Sequence, residues 1–406
     1  MKKALLFLSL ALFLLVSSYS EVRACTSAII SGKLTPDGRP LLWKHRDTGE
    51  LNNRVDYIAK SKDVKYAFIA VVNSPREDEG ESWMGVNEAG FAIINTASSN
   101  MHKYDEDGGD QEGKFMYKAL ASCKSVAEFE AMLKSKKHQP RGVETNFGVI
   151  DAQGGAAYFE TNSFDYTKYD VNDPTVAPHG FLVYTNFSFT GKPDGGGGYI
   201  RYANAQEKIF GKALRKEGIT PQWIFNNLSR SYYNPLLEVD LTKDYSLTPS
   251  GWFPDSDFIP RKSTASAAVI KGVKKGENPL LSVMWTILGY PPTAVAVPLF
   301  IAAGADQPAF VKPNSESDPN CALCDAALER RAKVFPLKRG SGKNYFYFKA
   351  VCNEEGTGYM QRLAPVDAKV FETFDKSICK WYKEGAVDLF ELANLYKTVD
   401  FGQDIR

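Results

Sequence analysis

Short apolar runs separated by turns fill most of the chain between residues 25 and 300. The turns are rich in Gly, Pro, Asn and Asp, and apolar runs of strand length bounded by such turns are typical of β-strands joined by hairpins. The pattern predicts strands over 26–31, 40–47, 54–60, 66–72, 83–86, 91–94, 145–150, 156–160, 180–185, 263–270 and 293–300.

Helical segments interrupt these strands and become prominent after residue 305. One helix is predicted over 112–134, a second contains Arg201, and a third begins at Thr220, where Thr is the cap and the next residue is Pro. Two or three helices and a strand near 345–351 are expected towards the C-terminus. Because strands and helices do not alternate as β-α-β-α, we predict the α+β class, arranged as a layered antiparallel sandwich.

The first 24 residues have the three parts of a secretory signal peptide. Two lysines form a basic start, residues 4–16 are apolar, and Ala24 ends a small-residue cleavage site. We therefore expect residues 1–24 to be removed on export to the periplasm or the extracellular space. The mature chain, 25–406, would then begin at Cys25.

A lipid anchor is the alternative interpretation of this N-terminus, since a bacterial lipoprotein also has cysteine as its first residue after cleavage. Arg23, two residues before Cys25, and Glu21 nearby disfavour a lipidation site embedded in the membrane. The chain also enters a predicted strand at once, without a flexible tether.

The charge balance narrows the choice of partners. The chain has 49 Lys and Arg against 48 Asp and Glu, whereas a nucleic-acid-binding protein normally shows a basic domain or stripe. After the signal segment, no apolar stretch is long enough to span a membrane. We expect a small-molecule partner, no nucleic acid and no membrane span in the mature chain, and the sequence leaves self-association open.

Six cysteines are present, and Cys321 and Cys324 form a C-x-x-C pair. A zinc site would need two further ligands, but all four histidines lie far upstream in the sequence. Export permits disulfides, so we expect a structural disulfide among the four C-terminal cysteines. The sequence predicts no metal and no cofactor.

Cys25 is the main candidate for chemistry. Cleavage before it would leave a thiol nucleophile beside a free α-amine, whose unperturbed pKa of about 7.7–8.0 suits a general base. One residue would then supply both groups. By itself this signal is weak, because any exported protein can begin with cysteine.

The stretch CTSAIISGKLTPDGRPLLWKHRD, residues 25–47, makes the signal specific. It resembles the opening of the N-terminal-nucleophile amidohydrolases: choloylglycine hydrolases, penicillin V acylases, related dipeptidases and the acyl-CoA:6-aminopenicillanate acyltransferases. The resemblance implies a four-layer αββα sandwich of two antiparallel sheets. We expect one such domain over 25–406, with a helical extension from about residue 305.

Asp47 closes the second predicted strand, and a hairpin would bring it back beside Cys25. The resemblance implies that Asp47 orients the Cys25 amine. The basic partner departs from the family, because Lys44 stands where an Arg is usual, and Arg46 is the alternative. Strand alternation places Lys44 and Arg46 on one face, and His45 with Asp47 on the other.

Three further residues follow from the resemblance. Downstream of the turn GVNEAG (85–90), Asn95 matches an Asn near the family's active site, where its backbone N–H would help an oxyanion hole. In YTNFS, Asn186 matches the Asn whose side-chain amide donates to the oxyanion. In YIRYANA, Arg201 matches an Arg beside the nucleophile, which would steady the site or a substrate carboxylate.

Together these features predict an exported cysteine amidohydrolase. Cys25 would attack a linear amide C–N bond of a small molecule or short peptide, forming a thioester that water hydrolyses. Three alternatives stay open: acyl transfer from Cys25 to an amine, a lipid-anchored binding protein of the cell envelope, and a family member that has lost activity.

Overall fold

Two large antiparallel β-sheets form the centre of the molecule. The computed structural model describes residues 24–75, 80–101, 110–135, 140–247, 249–255 and 257–403, so the predicted signal peptide lies outside the described residues except for Ala24. The strands are β1 (Cys25–Ile30), β2 (Leu41–Asp47), β3 (Asn53–Ile58), β4 (Phe68–Asn73), β5 (Met84–Asn87), β6 (Ala92–Ala97), β7 (Thr145–Ile150), β8 (Ala156–Thr161), β9 (Tyr166–Asp170), β10 (Phe181–Tyr184), β11 (Tyr233–Asn234), β12 (Val239–Asp240), β13 (Trp252–Pro254), β14 (Thr264–Lys271), β15 (Val283–Leu288), β16 (Val297–Phe300) and β17 (Tyr345–Tyr347).

The two sheets differ in how far apart their neighbours lie in the sequence. The seven-stranded sheet has the order β3-β4-β5-β6-β7-β8-β9, so every strand pairs with the next one along the chain. The six-stranded sheet has the order β10-β1-β2-β14-β15-β16. It therefore places β1 and β2 between strands that come more than a hundred residues later, which is how distant side chains reach Cys25. Two small sheets pair β11 with β12 and β13 with β17.

Helices cover the outer faces of both sheets. They are α1 (Glu112–Ser122), α2 (Val126–Ser135), α3 (Tyr199–Leu214), α4 (Pro221–Ile224), α5 (Ala322–Val334), α6 (Tyr359–Glu384) and α7 (Leu389–Thr398).

Side-chain alternation along the strands creates the layers. On β4, Ile69 and Val71 belong to the core between the two sheets, whereas Phe68 and Ala70 belong to a second core beneath α1 and α2. The same alternation puts Phe147 of β7 in that second core, where its ring stacks on Phe115 of α1 at a centroid distance of 5.4 Å. On the far side, Trp285 of β15 stacks on Phe371 of α6 at 4.0 Å.

These contacts confirm the predicted α+β class and its four-layer helix–sheet–sheet–helix arrangement. The helices after residue 305 also enter the main core, since Leu323 of α5, Phe374 of α6 and Leu392 of α7 are buried within it. This packing accords with a single unit for the mature chain, and the domain assignment stays a prediction.

The structure differs from the predicted elements most clearly in three places. The helix predicted over 112–134 is two helices, because Ser125 accepts a hydrogen bond from the Glu128 amide and so caps a new helix. Strands β9 and β15 were not predicted. Five of the six β15 residues are apolar and all six are buried, and periodicity cannot distinguish such a run from a buried helical segment.

All six cysteines have free thiols, so the structure does not contain the expected C-terminal disulfide. Both thiols of the C-x-x-C pair are buried against the start of β3: Cys321 Sγ lies 3.3 Å from the Asn53 carbonyl, and Cys324 Sγ lies 3.5 Å from the Leu51 carbonyl. Burial raises the pKa of Cys321 to about 12, so this thiol stays protonated at neutral pH. Among the described helices, none combines the length and apolarity needed to cross a bilayer.

Candidate active site

The β1–β2 hairpin brings Cys25 and Asp47 to the same end of the six-stranded sheet. The antiparallel register pairs Cys25 with Arg46, so Asp47 lies one residue beyond the start of β1. Residues 31–40 connect the two strands, and Gly38 there has a φ of 78°, a conformation that residues with a side chain disfavour. Cys25 and Asp47 both line one small pocket, as the predicted hairpin requires.

Asn186 and Arg201 hold the backbone of Cys25. The Cys25 N–H donates to Asn186 Oδ1 at 2.9 Å, and the Cys25 carbonyl accepts from Arg201 Nη1 at 2.6 Å. Arg201 Nη2 also donates to Asn186 Oδ1 at 2.7 Å, which joins the two side chains. Three of the residues proposed from the sequence, Asp47, Asn186 and Arg201, therefore lie around Cys25.

Each of these two side chains is itself held in place. The Asn186 amide nitrogen donates to the Ala97 carbonyl at 2.8 Å. Arg201 lies in the first turn of α3 and also donates to Thr26 Oγ1 at 2.7 Å. Burial, with the positive charge of Arg261, lowers the pKa of Arg201 to about 9, so it remains a cation at neutral pH. Both terminal nitrogens of Arg201 are thus engaged, Nη1 by the Cys25 carbonyl and Thr26 and Nη2 by Asn186.

Asp47 pairs with Arg261 and Thr264. Arg261 Nε donates to Asp47 Oδ2 at 2.8 Å, and the Thr264 hydroxyl donates to Asp47 Oδ1 at 2.7 Å. Thr264 is the residue opposite Asp47 in the β2–β14 pairing. Arg261 was missed from the sequence, since no local pattern around it points to chemistry and only the strand pairing brings it to Asp47.

Lys44 and Arg46 share a face, as strand alternation predicts, and both line the Cys25 pocket. Lys44 Nζ donates to Asn95 Oδ1 at 2.5 Å and to the Trp83 carbonyl at 2.9 Å. The Arg46 guanidinium donates to Asn53 Oδ1 at 2.9 Å and lies 4.5 Å from the centre of the Trp83 indole. Lys44 and Arg46 thus form part of the pocket wall. The arginine that pairs with Asp47 among the described residues is Arg261.

Asn95 links Lys44 to a buried carboxylate that the sequence did not reveal. Its amide nitrogen donates to Glu112 Oε2 at 2.6 Å, and Glu112 also lines the pocket. Glu112 is the first residue of α1, where an acidic side chain is ordinary because it favours the helix dipole. The position of Glu112 in the sequence therefore did not indicate that it lines a candidate active site.

Gly198 makes room for the Arg201 guanidinium, and its replacement has a predictable cost. Its φ is 82°, and a Cβ there would lie 2.3 Å from Arg201 Nη2. We expect Gly198→Ala to lower the free energy of unfolding by about 1–3 kcal/mol, through strain and displacement of the guanidinium. Gly197→Ala is the matched control, because its Cβ would meet only Asn186 Cβ at 3.9 Å. Urea unfolding measures both; equal stabilities would contradict this role for Gly198.

His45 gives the site a defined response to acid. It is fully buried beside Asp47, with Nε2 3.1 Å from Thr264 Oγ1. Because the Thr264 hydroxyl proton goes to Asp47, His45 Nε2 must be the donor. Burial lowers the pKa of His45 from 6.5 to about 4. The unfolded chain therefore takes up this proton first, and stability is lost as the pH falls from about 6.5 towards 4.

This shift predicts a difference between variants. When the pH is lowered from 7 to 4.5, the free energy of unfolding should fall by about 2–3 kcal/mol more in the wild type than in His45→Gln. The glutamine side chain has no group that takes up a proton in this range. The control is His179→Gln, which replaces a solvent-exposed histidine and should follow the wild type. Urea titrations at the two pH values provide the measurement, and parallel losses in wild type and His45→Gln would refute the buried neutral imidazole.

Comparison with known proteins places solved amide hydrolases among the similar structures. No protein-family model and no curated protein matches the sequence. The conjugated bile acid hydrolase of Clostridium perfringens, as a cysteine-to-alanine mutant, is 14% identical with a TM-score of 0.40, over 68% of this chain and 92% of that chain. An N-acylethanolamine-hydrolyzing acid amidase ortholog of Caenorhabditis elegans is 12% identical with a TM-score of 0.36, over 61% and 92%. Penicillin V acylase of Agrobacterium tumefaciens is 14% identical with a TM-score of 0.35, over 65% and 83%.

Proposed function

We propose that this protein is an exported cysteine amidohydrolase of the N-terminal-nucleophile type, which cleaves a linear amide C–N bond through a thioester on Cys25. One observation carries the proposal. Buried Asn186 holds the backbone nitrogen of Cys25, and buried Arg201 holds its carbonyl. The adjoining pocket also contains the buried carboxylate of Asp47. A catalytic α-amine must be held in one orientation. The backbone nitrogen at the start of an ordinary β-strand does not need buried side chains to hold it.

Processing would prepare the site. Removal of residues 1–24 turns the Cys25 amide nitrogen into an α-amine. Ala24 is only 1% exposed, so its removal would also uncover space beside that nitrogen. Asn186 Oδ1, which already accepts from this nitrogen, would then orient the amine. The buried carboxylate of Asp47, paired with Arg261, would stabilise the protonated amine.

The reaction would proceed in two halves. The Cys25 sulfur attacks the substrate carbonyl carbon while the α-amine takes the thiol proton. The tetrahedral intermediate collapses, the C–N bond breaks, and the ammonium returns its proton to the leaving amine. The α-amine then takes a proton from water, whose oxygen attacks the thioester, and the acid product leaves with the thiol restored. An amine in place of that water would give acyl transfer.

The oxyanion of the intermediate needs a donor close to the sulfur. We propose that the Asn186 side-chain NH₂ is this donor, because Oδ1 of the same amide already accepts a hydrogen bond from the Cys25 nitrogen. In the structure this amide donates to the Ala97 carbonyl, so the role requires it to share or exchange that bond. Lys44, Asn95 and Glu112 would form the opposite wall and fix its shape.

Trapping the thioester tests the proposal. The mature chain beginning at Cys25 would be mixed with a panel of small amides, quenched in acid and weighed by mass spectrometry. We expect an acyl adduct on the N-terminal Cys25 peptide with at least one amide, and none with Cys25→Ala. Added amines that consume the adduct faster than water would indicate acyl transfer. A lipid-modified N-terminus on the exported protein would instead support the anchored binding protein.

A further inference from the structure

The segment that carries Asn186 lies beyond the end of a strand. The pairing of β10 with β1 ends at Tyr184, two residues before Asn186. Residues 185–192, which we call the Asn186 loop, are irregular apart from an isolated bridge between Asn186 and Gly197. Side chains from neighbouring strands therefore supply what a β-ladder would provide, namely fixed positions for the peptide groups of this loop.

Asn146 of β7 bridges the peptide groups on both sides of Asn186. Its side-chain nitrogen donates to the Phe187 carbonyl at 3.0 Å and to the Thr185 carbonyl at 3.4 Å. Its Oδ1 accepts a hydrogen bond from the Ser188 hydroxyl at 2.6 Å. Because Asn146 is completely buried, these bonds are made away from water, where a polar group that loses its partner is costly.

The same strand also fixes the acceptor of the Asn186 side chain. The Asn186 amide nitrogen donates to the Ala97 carbonyl at 2.8 Å. Ala97 pairs with Thr145 in the β6–β7 register, and Thr145 directly precedes Asn146. The backbone and the side chain of Asn186 are therefore tied to one β-ladder. This arrangement fixes Asn186 Oδ1 at 2.9 Å from the Cys25 nitrogen.

Another buried side chain, Glu160 of β8, holds the next part of the Asn186 loop. It accepts hydrogen bonds from the Phe189 and Thr190 N–H groups at 2.6 and 2.8 Å. These contacts begin three residues after Asn186, whereas those of Asn146 reach the peptide groups immediately beside it. Since a substrate cannot touch the completely buried Asn146, any effect of this residue on the reaction passes through the groups that it holds.

We propose that Asn146 is a positioning residue, which aligns the Asn186 amide with the Cys25 nitrogen and the oxyanion by fixing the peptide groups on both sides of Asn186. The inference rests on the proposed function, because it takes Asn186 as the oxyanion donor. Such a donor is effective when it is already in place before charge develops. A displacement of about 1 Å can cost about 100-fold in rate.

Asn146→Leu removes these hydrogen bonds with a side chain of the same branching and no charge. We expect it to reduce kcat by about 10- to 100-fold and to leave KM within about 3-fold of the wild type. Asn87→Leu is the matched control, because Asn87 is buried in β5 of the same sheet and its amide also donates to two backbone carbonyls, those of Leu120 and Cys123. This control should lose comparable stability in urea and keep the wild-type kcat. Equal kcat values for the two leucine variants would overturn the inference.

A double-mutant cycle distinguishes positioning from a general loss of structure. Asn186→Ala removes the amide that Asn146 is proposed to align, so adding Asn146→Leu should change kcat by less than about 2-fold. A reduction as large as in the wild-type background would show that Asn146 acts elsewhere and would overturn the inference.

Ser188→Ala keeps the test decisive if Asn146→Leu does not fold. It removes the hydroxyl that donates to Asn146 Oδ1 and should reduce kcat by about 3- to 10-fold. This reduction should also disappear in the Asn186→Ala background. A loss that persists without the Asn186 amide would count against positioning through Asn186.

Alkylation of Cys25 separates this inference from the proposed function, because it needs no amide substrate. Mature wild-type, Asn146→Leu and Asn186→Ala proteins are treated with iodoacetamide from about pH 5 to 9, and labelling of the Cys25 peptide is measured by mass spectrometry. We expect the pH profiles of both variants to shift in the same direction, since Asn186 orients the amine beside the thiol. Shifts in both without turnover of any amide would support the positioning role and count against the amidase alone. Amide turnover with a shift in Asn186→Ala but none in Asn146→Leu would sustain the amidase and refute the positioning role.

Discussion

Cys25→Ala is expected to abolish amide turnover and acyl-adduct formation while leaving the fold intact. The sulfur is the only protein nucleophile in the proposed mechanism, so the loss in kcat should be on the order of 10⁴-fold or more. Stability should stay near that of the wild type, because the substitution removes one sulfur at the start of a strand. Steady-state kinetics, adduct mass and urea unfolding of the mature protein measure the three effects.

Cys25→Ser provides the intermediate case. It keeps a hydroxyl in the same position, but a hydroxyl is far less acidic than a thiol, whose reference pKa is about 8.5. We expect the serine variant to fold and to react far more slowly than the wild type. An alanine variant with wild-type turnover would rule out Cys25 as the nucleophile.

Asn186→Asp and Asn186→Ala should each reduce kcat by about 10²–10³-fold if the Asn186 amide stabilises the oxyanion. The aspartate variant retains an oxygen that can accept from Cys25 N and Arg201, the two bonds that Oδ1 makes now. It loses the amide donor, together with the hydrogen bond to the Ala97 carbonyl, and places a negative charge where the oxyanion would form. A comparison of the two variants therefore separates the donor role from the positioning role.

The outcome distinguishes two accounts of this residue. If Asn186 only orients the Cys25 nitrogen, Asn186→Asp keeps most of the activity and Asn186→Ala does not. Asn172→Asp, at an exposed position, is the control for adding a negative charge and should behave as the wild type. Wild-type kcat in both Asn186 variants would remove this residue from the mechanism.

Local patterns predicted the part of the site that lies on one hairpin. Strand length and turn residues between Cys25 and Asp47 are sufficient to bring these two residues together, and the register bears this out. The resemblance to a family supplied Asn186 and Arg201, which the structure also brings to Cys25. Their catalytic roles remain predictions that the variants above address.

The rest of the site depends on pairings that no local pattern encodes. Arg261 reaches Asp47 only because β14 pairs with β2, and the two residues are 214 positions apart. Glu112 is an ordinary acidic residue at a helix start until α1 packs over the pocket. Strand alternation could not decide whether Lys44 or Arg46 is the basic partner of Asp47, because it places both on the same face. In the structure the described arginine partner of Asp47 is Arg261, from the segment that leads into β14.

Extending the mature protein by one residue tests most directly whether the α-amine of Cys25 is the base. A single Gly before Cys25 preserves the thiol and the hairpin but moves the free amine one peptide unit away, about 3.8 Å. Kinetics of the extended and unextended proteins are compared after mass spectrometry has excluded trimming. We predict that the extension reduces turnover to the level of Cys25→Ala, and that proteolytic removal of the Gly restores it. Full activity in the intact extended protein would show that another group is the base and would contradict the proposed mechanism.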